Sequence, residues 1–391
     1  MIAVHEAEKI IQSIAFPTSV ESESIDNAHG HVLAESIYAD SDLPPFHRAM
    51  MDGIAVRLNA NEDPKEFNII GIQRAGAPQR FDIPSDSCIE IMTGAAVPEG
   101  FNTVIPYEHI LIQGNVASVQ VPPAIGQHIQ FKGSDFEKGA LLISSEKKLR
   151  SPEIGILASV GKTTVHVHKW PKVAIVSTGD ELVSINQTPG LGQIRRSNVH
   201  AIASVLHRLG LEVATFHFND DADEIRRGLN QIVENFNLII LSGGVSMGKY
   251  DLIPQIMTEM EVTQLFHKIA QKPGKPFWCG QTKEGIPVFA LPGNPVSTLL
   301  CLHRYVVPFL QQKVMGYQQE WKYVTINQDY MKKGALTQFV PVQVHIDTST
   351  IVKTSGSGDF AHLHEADGWI EIPAEVNEIK KGQTFRFIPF L

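Results

Sequence analysis

Apolar residues recur along the chain in two rhythms, and the switches between them mark its organisation. Near the start, Val4, Ala7, Ile11 and Ile14 fall at helical spacing, which predicts an amphipathic first helix. From Leu43 to about Gly139 the pattern breaks into short β-prone pieces, Phe67-Asn68-Ile69-Ile70, Val104 to Ile112 and Val116 to Val121. Gly, Pro and Asn interrupt them, which is the texture of an all-β insertion. A helix is predicted from Ser151-Pro152, with the serine as N-cap and the proline in the first turn, to near Gly161, and its sequence neighbours return it to the domain of the first helix.

After Trp170-Pro171 the alternation becomes regular. Strands Val173 to Ser177, Val213 to Phe218 and Leu238 to Leu241 are separated by helices, one with the apolar face Ile202, Val205, Leu206 and Leu209, the next with Ile225, Leu229, Ile232 and Val233. Strands this uniformly apolar imply a parallel sheet covered on both sides. From about Trp321 short strands return, with turns at Gly334, Gly356, Gly368 and Gly382. The expected architecture is multidomain α/β plus β. It comprises a discontinuous N-terminal helical and linker domain (1–43 and 140–170), a β-rich insertion domain (44–139), a doubly wound parallel-sheet domain (171–314) and a C-terminal barrel-like β domain (315–391).

Composition narrows the function classes. The 391 residues are 43% hydrophobic and 19% charged, ordinary for a globular protein, and 33 basic against 42 acidic residues give a net charge of −9. Nucleic acid would meet overall repulsion, whereas a small anion needs only a local basic patch. Cys88, Cys279 and Cys301 form no C-x-x-C pair, and an odd number argues against a closed disulfide framework. Glu6, Glu8 and Lys9 interrupt any apolar signal core, and no apolar run reaches the ~20 residues of a membrane span. The default address is the cytoplasm, with neither membrane nor nucleic acid as partner.

The candidate chemistry gathers in the α/β segment. Asp180 and Glu181 end one strand, Ser242-Gly243-Gly244-Val245-Ser246 and then Asp251 follow another, and Lys268, Lys272 and Lys275 precede Leu291-Pro292-Gly293-Asn294-Pro295. Glycine loops after strands free backbone N–H groups for a phosphate, and carboxylates at strand ends suit a hard divalent cation. Capping alone would account for Thr178-Gly179-Asp180-Glu181 and, more simply still, for Asp220 and Asp221 before a helix. Consecutive glycines after a buried strand are harder to explain without a close ligand. Pro273, Gly274 and Pro276 exclude a regular helix, so the lysines sit on a constrained loop, and Asn294-Pro295 reads as the N-cap and first residue of a helix. Other chemistries fail. Gly155 to Gly161-Lys162-Thr163 has one residue too many for a phosphate-binding P-loop, no G-x-G-x-x-G is found, and His166, His168 and His217 lack a visible third ligand.

These residues resemble the MoeA proteins, the molybdopterin molybdenumtransferases, which are related to the enzymatic domain of gephyrin. The resemblance runs through Pro44-Pro45-Phe46, Met51-Asp52-Gly53, Ile91 to Pro98, Val173 to Leu182, the S-G-G-V-S loop with Asp251, Lys272 to Pro276 and Leu291 to Ser297. It implies an elongated homodimer of four-domain subunits with shared active sites, and the joining of molybdate to adenylylated molybdopterin with release of AMP. It also implies Mg²⁺ as cofactor, molybdate as substrate and a molybdopterin adenylyltransferase as partner. The family's functional positions fall on Asp52, Thr93, Glu181, Asp220, Asp251, Lys268, Lys272, Pro292, Pro295 and Ser357, with Glu181, Asp220 and Asp251 toward the metal. Substrate phosphates are expected on Ser242, Gly243, Gly244, Gly293 and Asn294, with Lys275 beside them.

Two departures stand out. His47-Arg48-Ala49-Met50 replaces the usual residues before Met-Asp-Gly, with Ile54 in place of a tyrosine. Leu336 to Pro341 lacks the arginines of an R-x-x-F-x-R segment, and His362 and His364, a few residues beyond Ser357, are candidates to compensate. A non-catalytic pterin-binding scaffold and a tungstate-inserting paralogue are the competing readings.

Overall fold

The computed structural model describes residues 1–16, 19–60, 65–77, 84, 86–245, 252–317, 320–346 and 348–391. The chain divides into two compact units, one of residues 1–22, 30–32 and 166–391, the other of 23–29 and 33–165. Among the described residues no helix is long and apolar enough to cross a membrane.

The larger unit is built on a six-stranded sheet whose spatial order is Glu212–Phe218, Lys172–Thr178, Leu238–Ser242, Pro287–Leu291, Trp278–Gln281 and Thr263–His267. The first four strands run parallel, as their apolar composition predicts. The last two join through antiparallel pairings, Trp278–Gln281 running against both Pro287–Leu291 and Thr263–His267, which departs from the expected all-parallel sheet. The turn Thr282–Gly285 explains this, because a connection this short cannot carry a crossover and must return the strand antiparallel.

Alternate residues of the strands feed two cores. Val173, Ile175, Leu238, Ile240 and Phe289 pack with helices Val4–Ser13, Ser197–Arg208 and Pro295–Cys301, while Ala174, Val176, Ile239, Leu241 and Val288 pack with Ala222–Asn235 and Ile253–Glu259. The first helix, with Val4, Ala7, Ile11 and Ile14 on its apolar face, therefore belongs with this sheet.

The same unit carries a second six-stranded sheet. Its path runs Gln271–Lys272, Thr337–Val344, Gly368–Ile372, Thr384–Pro389 and Lys322–Thr325, with Ser349–Ile351 paired to Thr337–Val344. Among the described residues its edge strands do not pair, so it is an open sheet and not a closed barrel. One edge strand, Gln271–Lys272, comes from the α/β segment, so the second sheet reaches back across the boundary expected at 314/315.

Helix Pro295–Cys301 continues through a wide π turn, Leu302–Val306, into Val307–Lys313. Pro308 has no N–H for the Arg304 carbonyl, which accounts for the widened turn. Within that turn Arg304 is 1% exposed and donates to Glu8 at 2.8 Å and Glu371 at 2.9 Å, binding the first helix and the second sheet to the bundle. Arg386 joins at 3.3 Å from Glu8. Trp321 lies beneath both guanidiniums, at 4.6 and 4.7 Å. Burial alone would raise the Glu8 carboxyl, but the two arginines together hold it below its ordinary range.

The smaller unit is mostly β and wider than the β-rich insertion expected at 44–139, since it takes in residues 23–29 and 33–165. Its sheet order is Thr103–Pro106, Gly53–Val56, Ser87–Ile91, Glu66–Gln73, Val116–Val119 and Ile110–Gln113, with cores on both faces. Helix Ser151–Ser159 lies in this unit and not, as its sequence neighbours suggested, with the first helix, whose apolar face packs in the core of the larger unit. Its N-cap is Arg150 and not Ser151, because Glu153 reaches back to the Arg150 N–H at 3.0 Å and fixes the helix start one residue earlier.

Removing Arg304 leaves the mostly buried Glu8 and Glu371 with only the more distant Arg386 as a partner. Arg304→Ala is expected to lower unfolding stability by roughly 3–5 kcal/mol, measured by denaturant titration. Because the Glu8 carboxyl is depressed, its contribution is present above the ordinary carboxylate pKa and fades as pH falls through the folded value. Stability of the variant is therefore expected to depend less on acid than that of the parent.

Candidate anion-binding cleft

Parallel register brings the loops together. Ser177 lies opposite Ser242, and Ser242 opposite Leu291, so the turns that follow leave the same edge of the sheet side by side. The chain turns outward in opposite directions from strands Lys172–Thr178 and Leu238–Ser242, which opens a crevice at their carboxyl ends. Gly243 and Gly244 adopt φ of +99° and +67°, left-handed conformations that glycine takes without strain. A Cβ on Gly244 would lie 2.8 Å from Ile253 and 2.9 Å from the Thr178 hydroxyl, while one on Gly243 would meet nothing closer than 3.4 Å.

Two amides, Asn198 and the buried Gln271, hold the loops in place. Asn198 Nδ2 donates to Ser242 Oγ at 3.0 Å, the Gly293 carbonyl at 2.8 Å and Thr298 Oγ1 at 3.2 Å. Gln271, fully buried, accepts from the Tyr305 hydroxyl and donates to the Pro273 carbonyl at 3.1 Å, which fixes the lysine loop. Asn294 opens its helix as expected but does not cap it. Its side-chain N–H donates to Ser357 Oγ at 2.9 Å, and the Ser357 carbonyl accepts from Val296 N–H at 3.2 Å.

The result is a cleft of about 1030 Å³. It brings together Glu181, Ser242, Gly243, Gly244, Lys272, Lys275, Pro292, Gly293, Asn294, Pro295 and Ser357. Arg195, Arg196, Lys333 and Lys353 complete the wall, giving six cations against one carboxylate, Glu181. None of the six is in an ion pair among the described residues. A concave, positively charged wall suits anions, although the Gly243 N–H at its base is donated to the Leu291 carbonyl at 3.2 Å.

Not every expected residue is in this wall. Asp220 lies outside it, and its backbone N–H donates to Asp180 Oδ1 at 3.1 Å. Lys268 also lies outside, its backbone tied to Phe277 and Ile2. Asp251 and Ser246 fall outside the described residues. Among the described residues no three His, Cys, Asp or Glu side chains converge as a metal site.

In the smaller unit Asp52 and Thr93 meet, the carboxylate accepting from the Thr93 N–H at 2.6 Å and its hydroxyl at 2.7 Å. These bonds hold the Asp52 carboxyl below the usual carboxylate range. The unusual residues before it are structural: His47 Nδ1 accepts the Lys132 N–H at 3.0 Å, and Arg48 binds Gln130, which in turn donates to Asp135. Ile54 is buried in the sheet core.

His362 and His364 do not line the cleft. His362 pairs with Asp359 at 2.7 Å, which raises the imidazole pKa, and Asp359 also accepts the Ser355 N–H at 2.7 Å, ordering the turn that carries Ser357. The missed residues are thus Asn198, Gln271, Arg195, Arg196, Lys333 and Lys353. Two adjacent arginines where a helix begins were a readable anomaly, since that end of a helix favours acids. Nothing in the sequence separates Lys333 from Lys332 beside it.

Three family models match the chain: "MoeA N-terminal region (domain I and II)" over residues 2–161, "Probable molybdopterin binding domain" over 174–312, and "MoeA C-terminal region (domain IV)" over 323–390. A Synechocystis protein named molybdopterin molybdenumtransferase is 36% identical, the alignment covering 99% of each chain. A Haemophilus influenzae protein of the same name is 31% identical over 100% of this chain and 99% of its own. A crystal structure of the molybdopterin biosynthesis MoeA protein from Pyrococcus horikoshii superposes with a TM-score of 0.83 at 30% identity, covering 100% of this chain and 99% of that one.

The glycine loop separates two effects that a single variant would merge. Gly243→Ala is expected to cost about 1–2 kcal/mol of stability from left-handed backbone strain alone. Gly244→Ala is expected to cost more, since its methyl also collides with Ile253 and Thr178, and denaturation of the two variants side by side measures the difference.

Proposed function

The chain belongs to the MoeA family and is a transferase of molybdenum cofactor biosynthesis, and from that premise we propose that it joins molybdate to adenylylated molybdopterin with release of AMP. One observation carries the assignment of the site: six unpaired cations and a glycine loop surround a single carboxylate at the crevice of the parallel sheet. The substrate's phosphates sit on Gly243, Gly244 and the turn Pro292 to Pro295. Lys272 and Lys275 offset the charge of molybdate and of the departing nucleotide. The dithiolene sulfurs of the substrate replace oxygens of molybdate, which leave as water, so no covalent protein nucleophile is needed.

A magnesium ion fits this donor set, because it binds through one or two carboxylates and completes its shell with phosphate oxygens and water. Glu181 would hold it, with Asp251 as second carboxylate, and the bound ion would neutralise pyrophosphate charge. Asp220 and Lys268 support the site from outside its wall. The enzyme works in the cytoplasm as a homodimer and takes its substrate from a molybdopterin adenylyltransferase. In the dimer the Asp52–Thr93 pair of one subunit serves the cleft of the other.

Anaerobic incubation with adenylylated molybdopterin, molybdate and Mg²⁺, following AMP release, tests the reaction. Glu181→Gln is expected to bind substrate yet release AMP about a hundredfold more slowly. Wild-type rates from that variant would remove Glu181 from the metal role. Binding without AMP release by the parent would favour a scaffold, and equal rates with tungstate would leave the metal unselected.

Asp52→Ala and Glu181→Ala subunits test the shared site. In each heterodimer one site carries both lesions and the other neither, so random exchange is expected to restore about a quarter of parental activity. Confirmed exchange without recovery would place Asp52 at the site of its own chain.

A further inference from the structure

The turn Pro292 to Pro295, which carries part of the cleft, is held residue by residue from different sides. The Pro292 carbonyl accepts from the Thr298 hydroxyl and the Gly293 carbonyl from Asn198 at 2.8 Å, both partners belonging to the α/β segment. Asn294 is held from elsewhere. Its side-chain amide donates to Ser357 Oγ at 2.9 Å, and one turn into the helix the Val296 N–H donates to the Ser357 carbonyl at 3.2 Å. The place of Asn294 therefore depends on a turn of the second-sheet segment, and on what fixes that turn.

One carboxylate does so. Asp359 Oδ2 accepts the Ser355 N–H at 2.7 Å and the Ser355 hydroxyl at 3.1 Å, while Oδ1 accepts the His362 N–H at 3.3 Å and pairs with the His362 imidazole at 2.7 Å. Its side chain is 7% exposed and grips the chain on both sides of Ser357. The Ser355 N–H and the His362 side chain hold the Asp359 carboxyl well below the usual carboxylate range, so it is an acceptor at neutral pH. The His362 side chain is 60% exposed, and an ion pair in that setting adds little, so the grip lies chiefly in the bonds to Ser355 and to the main chain. Asp359 itself does not line the cleft.

On the reading of the cleft as the site of the substrate's phosphates, we propose that Asp359 is a positioning residue for that site. It clamps the turn that carries Ser357, and Ser357 in turn sets Asn294 and the start of its helix against the bound nucleotide. A segment of the second sheet thereby tunes a turn of the α/β domain without touching the ligand.

Isothermal titration of the full chain with AMP needs no turnover and reads the clamp. Asp359→Ala, which frees both Ser357 contacts, is expected to weaken AMP binding about tenfold, and Ser357→Ala, which removes only the bond to Asn294, about threefold. The double variant is expected to bind no more weakly than Asp359→Ala, because loosening the turn already forfeits the Ser357 bond. Losses that multiply to about thirtyfold would mean that Asp359 acts independently of Ser357 and would overturn the proposal. Asp359→Asn keeps the shape and one accepting oxygen, and carries the same test if the alanine variant does not fold. It is expected to bind AMP a few-fold more weakly than the parent. Parental affinity in the folded Asp359 variant would overturn the clamp alone, whereas a parent that binds no AMP would overturn the nucleotide reading of the cleft and the clamp with it.

Discussion

The register of three parallel strands is the constraint on which the cleft depends. Ser177, Ser242 and Leu291 are level across the sheet, so the turns after them emerge at one height and within reach of a single ligand. A slip of one residue in the central strand would reverse its two faces, sending Ile239 and Leu241 toward the wrong core and Ser242 away from Asn198. The register is therefore enforced by both hydrophobic cores at once. The polar site uses an alignment already fixed by apolar packing, and Asn198 and Gln271 then set the turns to finer tolerance.

Charge is arranged on a different principle. The chain carries a net charge of −9, yet the cleft wall holds six cations and one acid. Some cations elsewhere are matched, most tightly where Arg304 lies between Glu8 and Glu371. Pairing fixes structure and leaves no charge to spare, whereas the unpaired cleft focuses a positive potential through an otherwise acidic surface. An anion approaching from solvent is repelled almost everywhere except where it is to bind.

The amphipathic helices, the parallel strands and the glycine loop were legible because each repeats a local rule, a 3.6-residue face, an apolar run or a turn that tolerates only glycine. What the sequence concealed depends on contacts between distant residues. The two antiparallel strands follow from a turn whose meaning is clear only once the sheet is assembled. Asn294 had every mark of a cap, but its amide goes to Ser357, 63 positions away. His362 and His364 stood as candidates to replace the missing arginines, while the charge that faces the cleft comes from Lys333 and Lys353. Lys332 and Lys333 are identical in type and adjacent, and only the carbonyl cage around the first decides which one the ligand meets. Asp220 matched the family at its position, yet its backbone is taken up by Asp180.

The short strand Gln271–Lys272 gives the cleft a mechanical property. Its residues register with Thr337 and Gln338 of the second sheet, while the loop that continues from it, Pro273 to Lys275, lines the cleft. A ligand-binding loop is thus stitched into the edge of a neighbouring domain by backbone hydrogen bonds. The second sheet cannot swing away from the α/β core as a hinged lid without first unzipping that edge. Separation would break that ladder together with the Arg304–Glu371 pair and the apolar core that the two sheets share, so the loop and the second sheet hold one another in place.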